Sequence, residues 1–271
     1  MTIFNHLAAI ARASVPDFVR QRVRARRARQ RAAMGYHEVA VSEAELHGGI
    51  RGKRVLIVGA NTGEDCERFV RRGAREVHGL DVIEQVGANY SHPKVIYHRQ
   101  SIEKTTLPSD YFDLVFAVAT MEHVPDVAAG FTEMARLVRP GGVIYSSAAP
   151  LWESPFGHHM GCFNDHPWVH LLFDPPSLAD YARLHGIEGE RGHSIGAIAR
   201  YMLDPANFNM RPAGEYLAAC AELPGLEIIE NALYGEDPAL LEHPLGQRAL
   251  AAGFESESLL TTRHSFIARK L

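Results

Sequence analysis

The chain has 271 residues, of which 46% are hydrophobic and 22% charged, and a formal net charge of −4. That length can bury a large core as one α/β domain with an appendage, and no apolar run approaches the roughly 18 residues that a membrane-spanning helix needs. Three cysteines, Cys66, Cys162 and Cys220, stand far apart with no CxxC pair, which excludes a disulfide framework and suits a reducing compartment.

Residues 1–33 carry eight arginines (Arg12, Arg20, Arg22, Arg24, Arg26, Arg27, Arg29, Arg31) against one acid, Asp17, leaving a net −11 to the rest of the chain. This basic arm reads as a solvated helix beside an acidic body. A membrane surface, a nucleic acid or a charged substrate is an alternative partner for it, and an Arg-rich, acid-poor stretch also looks like a transit peptide. With no long apolar secretory segment, the expected location is the cytoplasm.

After the arm the periodicity alternates. RVLIV, residues 54–58, is a buried strand running into the turn Gly59-Ala60-Asn61-Thr62-Gly63, and residues 63–73 form a helix. Strands follow at 76–80, where Asp81 ends the run, at 94–98 and at 112–117. A helix over 127–137 is stopped by Pro140-Gly141-Gly142, and a fifth strand covers 143–148. Two last strands are expected at 226–233 and 258–268. Apolar runs separated by helices imply a mostly parallel sheet covered on both faces. Residues 151–225, rich in Pro, His and aromatics, break the pattern. The segments are therefore a basic helical arm (1–48), an α/β core (49–150), an acceptor-binding insertion (151–225) and the last two strands (226–271).

In such a sheet, ligands bind outside the carboxyl ends of the strands. Asp81 follows Gly63 by 18 residues, a spacing that suits a carboxylate on ribose hydroxyls; its alternative role is to cap a helix. The turn lacks the G-x-G-x-x-G of a dinucleotide site, because Asn61 stands at the middle position and Glu64 and Asp65 load the first helical turn with negative charge. No G-K-[ST] follows, so a P-loop is excluded.

The stretches VLIVGANTG, VHGLDV, LPSDYFDLVFAVATMEHVPD and EMARLVRPGGVIYSSAAP, in order and over residues 50–150, resemble the successive motifs of class I S-adenosylmethionine-dependent methyltransferases. The subgroup most similar is the type 11-like one acting on small molecules and lipid quinones. The resemblance implies a Rossmann-like seven-stranded sheet, mostly parallel with an antiparallel last strand and helices on both faces. It implies S-adenosylmethionine as cofactor, with Gly59, Ala60, Asn61 and Gly63 under its methionine portion. Asp81 would hold the ribose and Val82 would lie beside the adenine. Ser101 and Ile102 would sit at the adenine side, and Ala117 to Thr120 near the sulfonium. The chain departs from the family pattern at Ile57, Asn61 and Ser101, where an acid, a glycine and an acid are usual; Glu64 or Asp65 is the candidate replacement for the first.

The expected activity is methyl transfer to O or N of a small-molecule metabolite. An RNA-modifying enzyme using the arginine arm, or a cofactor-binding regulatory protein without turnover, are the alternatives; no RNA-binding module supports the first, so a nucleic-acid partner is not expected. A homodimer is left open. The insertion holds His158, His159, His166 and His170 among Trp152, Phe156, Phe163 and Trp168. One of His158, His159 and His166 is a candidate general base or acceptor-orienting donor, and His123 is a further candidate. Structural hydrogen bonding competes with that role. No metal is assigned; were one bound, His158, His159, His166 and His170 are its candidate ligands.

Overall fold

The computed structural model describes residues 35–271, so the expectations for the arginine arm fall outside the described residues. The chain divides into two units, residues 1–43 and 44–271. Of the first, residues 35–43 are described; they carry the start of helix α1 (Tyr36–Gly48), where the Ser42 hydroxyl donates to Glu38 O at 2.7 Å.

The second unit is built on β1 (Arg54–Val58), β2 (Glu76–Asp81), β3 (Val95–Arg99), β4 (Phe112–Val118), β5 (Val138–Ala148), β6 (Leu226–Gly235) and β7 (Thr261–Lys270). They form one seven-stranded sheet in the order β3-β2-β1-β4-β5-β7-β6. Pairing is parallel from β3 through β5, and β7 runs antiparallel to both β5 and β6. The class I arrangement expected of the fold is therefore present. Apolar runs such as Val55–Val58 are buried throughout because both faces are covered. The order reverses between β1 and β4, so the connections leaving their carboxyl ends diverge and open a crevice there.

Helix α2 (Glu64–Arg71) follows β1. Helix α3 (Val127–Leu137) begins where the Asp126 carboxylate accepts the Ala129 N–H at 2.9 Å, an ordinary N-cap. The helix ends at Leu137 as expected, but β5 starts at once, so Pro140-Gly141-Gly142 lies inside the strand. There the β4–β5 register shifts between Phe112 and Leu114, opposite Val138 and Val143. The proline and glycines make a bulge in the strand.

The insertion opens with the helices α4 (Val169–Leu172), α5 (Pro175–Leu184) and α6 (Ile195–Met202). They enclose an apolar cluster of their own, with Phe163, Leu178, Ile198, Met202 and Leu245 at its centre. Helix α7 (Ala213–Ala221) returns to the sheet, where Tyr216 and Cys220 join the main core. The last two strands are not a simple hairpin. Between them lie α8 (Pro244–Ala251), which gives Leu245 to the insertion's cluster, and α9 (Ser256–Leu260). Residues 258–260, expected at the start of the last strand, are the end of α9. The Trp168 indole donates to Leu259 O at 2.9 Å, tying this excursion to the insertion.

Candidate active site

A cleft of about 480 Å³ opens at the carboxyl ends of β1, β2 and β4. Gly59, Asn61, Asp81, Val82, Ser101, Ile102 and Thr120 line it. Gly59 turns the chain out of β1 at φ +74, and a Cβ there would overlap the Thr120 side chain. The Thr120 hydroxyl lies 3.1 Å from Val58 O and 2.9 Å from Val118 O, bracing β1 against β4. Gly63, at φ +111, has its Cβ position filled by Tyr97 and Tyr90. Both glycines therefore make room for protein side chains, and Gly63 does not reach the cleft. Ala60 and Ala117 are buried in the core instead; Ala119, at φ +49, is the alanine of the β4 exit that meets the cleft.

Asp81 anchors the cleft floor. Its Oδ2 accepts the Asn61 N–H at 2.8 Å, and Oδ1 accepts those of Val82 at 2.7 Å and Ile83 at 3.2 Å. An ionised carboxylate offers about four lone-pair directions, so one direction remains for a ligand hydroxyl. Across the cleft the Ser101 hydroxyl donates to Glu103 Oε2 at 2.8 Å, while Glu103 Oε1 accepts the Asp126 N–H at 2.9 Å. Glu103 thus supplies, two residues on, a carboxylate that position 101 lacks. Glu64 and Asp65, the candidates to replace the acid missing at Ile57, do not line the cleft. Glu64 is held by the Thr62 hydroxyl at 2.7 Å and the Asn89 amide at 3.1 Å, which keep its carboxyl below the usual range, and Asp65 is paired with Arg68 at 2.8 Å.

The histidines divide. His123, on the short 3₁₀ turn Met121–His123 after β4, lines the cleft. Its Nδ1 donates to Asn207 O at 2.6 Å, because a carbonyl can only accept, and this leaves Nε2 with its lone pair. The His159 ring lies 5.3 Å from that of His123. His159 Nε2 donates to Pro150 O at 2.9 Å, leaving Nδ1 as its acceptor. Desolvation holds His123 below the usual imidazole range and pulls His159 down to about 4. The neighbouring Glu122 is fully enclosed. Its Oε1 accepts the Ala149 N–H at 3.3 Å, Oε2 has no partner among the described residues, and burial pushes the carboxyl up to about 8. Glu122, His123 and His159 each bring one ligand-type atom within 4.8 Å of the others, a spacing that would suit a metal ion.

The other insertion histidines go elsewhere. His158 is wholly buried, with Nδ1 accepting the Met160 N–H at 3.0 Å and burial lowering it to about 3. His170 packs 5.5 Å from it and donates to Trp152 O at 2.6 Å. His166 meets the Tyr181 hydroxyl at 2.9 Å. The four histidines considered as a metal set do not converge, and of the three considered as bases only His159 stands near the cleft.

Residues 56–146 match the family described as Methyltransferase domain. Over these residues the chain is similar to that family. Among curated proteins, the ubiquinone biosynthesis O-methyltransferase of Sodalis glossinidius is 38% identical over 111 residues, covering 38% of this chain and 44% of that protein. The protein of the same name from Dechloromonas aromatica is 34% identical over 142 residues, 49% of this chain and 59% of its own. The chain thus spans about half the length of the curated relatives it matches. Among solved structures, an S-adenosylmethionine-dependent methyltransferase from Mesorhizobium loti shares the fold at TM-score 0.53 and 20% identity, over 87% of this chain and 99% of its own. The [4+2]-cyclase SpnF does so at TM-score 0.51 and 16% identity, over 86% and 80%. A cyclase on this fold is a reminder that the sheet alone does not choose the reaction.

The matched residues do not form the cleft alone. Tyr201, Ala206 and Asn207 of the insertion line it as well. No local pattern reveals these, since they lie about 80 residues beyond His123 in sequence, a separation that Asn207 closes through its bond to that residue. Glu103 was findable, as the acid nearest the position where Ser101 stands.

Proposed function

We propose that the chain transfers a methyl group from S-adenosylmethionine to an oxygen of a small-molecule acceptor. The observation that carries this reading is the cleft itself, which joins an aspartate with one lone pair to spare, apolar Val82 and Ile102, and an imidazole with a free nitrogen. Those residues fit the cofactor: Asp81 for the ribose hydroxyls, Val82 and Ile102 for the adenine faces, Ser101 and Glu103 at the adenine rim, and Gly59, Asn61, Ala119 and Thr120 toward the sulfonium end. The bound cofactor supplies an electrophilic methyl group. The protein's work is then to aim the acceptor, exclude water and take the hydroxyl proton. His123 Nε2 is the base, with His159 beside it, both held in one tautomer by backbone carbonyls. The choice of oxygen rests on the names of the curated relatives. No helix of the described residues is long and apolar enough to cross a membrane, and the three cysteines are free, which fits a cytoplasmic location.

Incubation with methyl-labelled S-adenosylmethionine and a panel of phenols and catechols tests the reading. Turnover should fall by about 10²–10⁴ in His123→Ala, the contribution of a general base, with cofactor affinity kept. Chelation should leave wild-type turnover intact. Normal turnover in both His123→Ala and His159→Ala would remove the base, and silencing by a chelator would replace it with a metal.

A further inference from the structure

A second cavity, of about 230 Å³, lies inside the insertion. Met160, Ala197, Ile198 and Tyr201 give it apolar walls, and Glu190, Arg191 and His193 bring polar groups to it. The side chain of Tyr201, on α6, joins it to the cleft described above. Met160 directly follows His159, whose ring packs against His123. A molecule reacting beside His123 therefore has a recess within reach on the insertion side.

The charges of this recess are unequal in their fixity. Glu190 Oε2 accepts the Cys162 N–H at 2.8 Å, so the carboxylate is held in place, and the other oxygen has no partner among the described residues. Arg191 and His193 are exposed and free to turn toward water. The positioned charge is thus negative and sits beside an aromatic ring and aliphatic side chains. Such a combination favours a cation carried on an apolar body, through a charge-assisted hydrogen bond and contact with the tyrosine face.

We propose that this cavity is the specificity pocket for the part of the acceptor that is not methylated, and that it selects a primary amine joined by a short apolar linker to the group that carries the reacting hydroxyl. The proposal rests on the methyl-transfer reading for its reaction, but not for its binding. Arg191 works against it from the rim and sets how strongly the amine is preferred.

Dopamine and 4-ethylcatechol test this directly, since they share the catechol hydroxyls and differ by the amine. Calorimetric titration of each in the presence of S-adenosylhomocysteine should show dopamine binding more tightly by about ten- to a hundredfold, the effect of one hydrogen bond to a charged group. Glu190→Gln keeps an oxygen for the Cys162 N–H while losing the charge. It should bring the two ligands within about threefold of each other and raise KM for dopamine with kcat retained. Arg191→Ala should widen the preference. Equal binding of the two catechols by the wild type overturns the proposal, as does a preference that survives in Glu190→Gln with an unchanged melting temperature. Dopamine binding by a protein that shows no affinity for the cofactor would keep the pocket and overturn methyl transfer instead.

Discussion

An aspartate that already anchors two loops has a double effect when it is removed. Asp81 holds the Asn61 N–H of one loop and the Val82 and Ile83 N–H groups of another. Asp81→Ala should therefore weaken S-adenosylmethionine by about ten- to a hundredfold, from the lost ribose contact, and also lower the melting temperature without any ligand. Asp81→Asn can still accept from the Asn61 N–H, so it should restore part of the thermal stability and less of the affinity. Calorimetry and thermal melts on both variants separate the two effects; a cofactor affinity unchanged in Asp81→Ala would remove Asp81 from the ribose. The sequence made this residue legible because a carboxylate at the end of the second strand has few other reasons to follow a glycine turn at that spacing. It did not reveal what the glycines do. That Gly59 makes way for Thr120, and Gly63 for Tyr97, depends on partners 61 and 34 residues away, which no local motif encodes.

At the scale of elements, the histidine-rich stretch illustrates how one compositional signal can hold several unrelated environments. His158 and His170 are buried against each other, His166 stands by Tyr181 and His185, and His159 alone turns toward His123. Adjacent positions in a loop with left-handed turns at His159 and Trp168 face different ways, so spacing in the sequence could not group them. Their burial has a consequence for pH. Below the ordinary imidazole value of 6.5, unfolded His158, His159, His170 and His264 bind protons that the folded protein, with values near 3 to 4, refuses. Stability from these groups is complete above 6.5 and falls as the pH drops toward 4, with a slope of about 1.4 kcal/mol per pH unit for each proton. Glu122 acts with the opposite sign. Its folded value near 8 exceeds the ordinary 4.5, so its contribution is whole below 4.5 and lost as the pH rises through 8. Urea midpoints should accordingly peak near pH 6.5 and decline on both sides. Glu122→Gln should remove the decline between 6.5 and 8 and steepen the rise from 4.5 to 6.5. A midpoint that does not change from pH 6.5 to 5 would contradict the neutral, buried state of the imidazoles.

At the scale of the whole molecule, the strand runs, the helix over 127–137 and the order of motifs were all readable, because a parallel sheet buried on both faces writes itself as continuous apolar segments. The return of the chain through α8 and α9 between the last two strands was not, since short helices of ordinary composition carry no distinctive period. Those helices and the insertion share Leu245 and the Trp168–Leu259 bond, so the layer that helps to enclose the cleft is assembled from two distant parts of the chain. Ligand binding should then stabilise the body that it bridges, since Asp81 and Asn207 line one cleft from the sheet and from the insertion. At a hundredfold excess over its dissociation constant, a ligand adds about 2.7 kcal/mol. For domains of 150–250 residues, 1 kcal/mol moves the melting point by about 2–4 °C. S-adenosylmethionine should therefore raise the melting temperature by several degrees. NAD at the same concentration should leave it unchanged, because Asn61 occupies the middle glycine position and Glu64 and Asp65 stand at the first turn of α2 against a pyrophosphate. Stabilisation by NAD in place of S-adenosylmethionine would reverse the cofactor assignment.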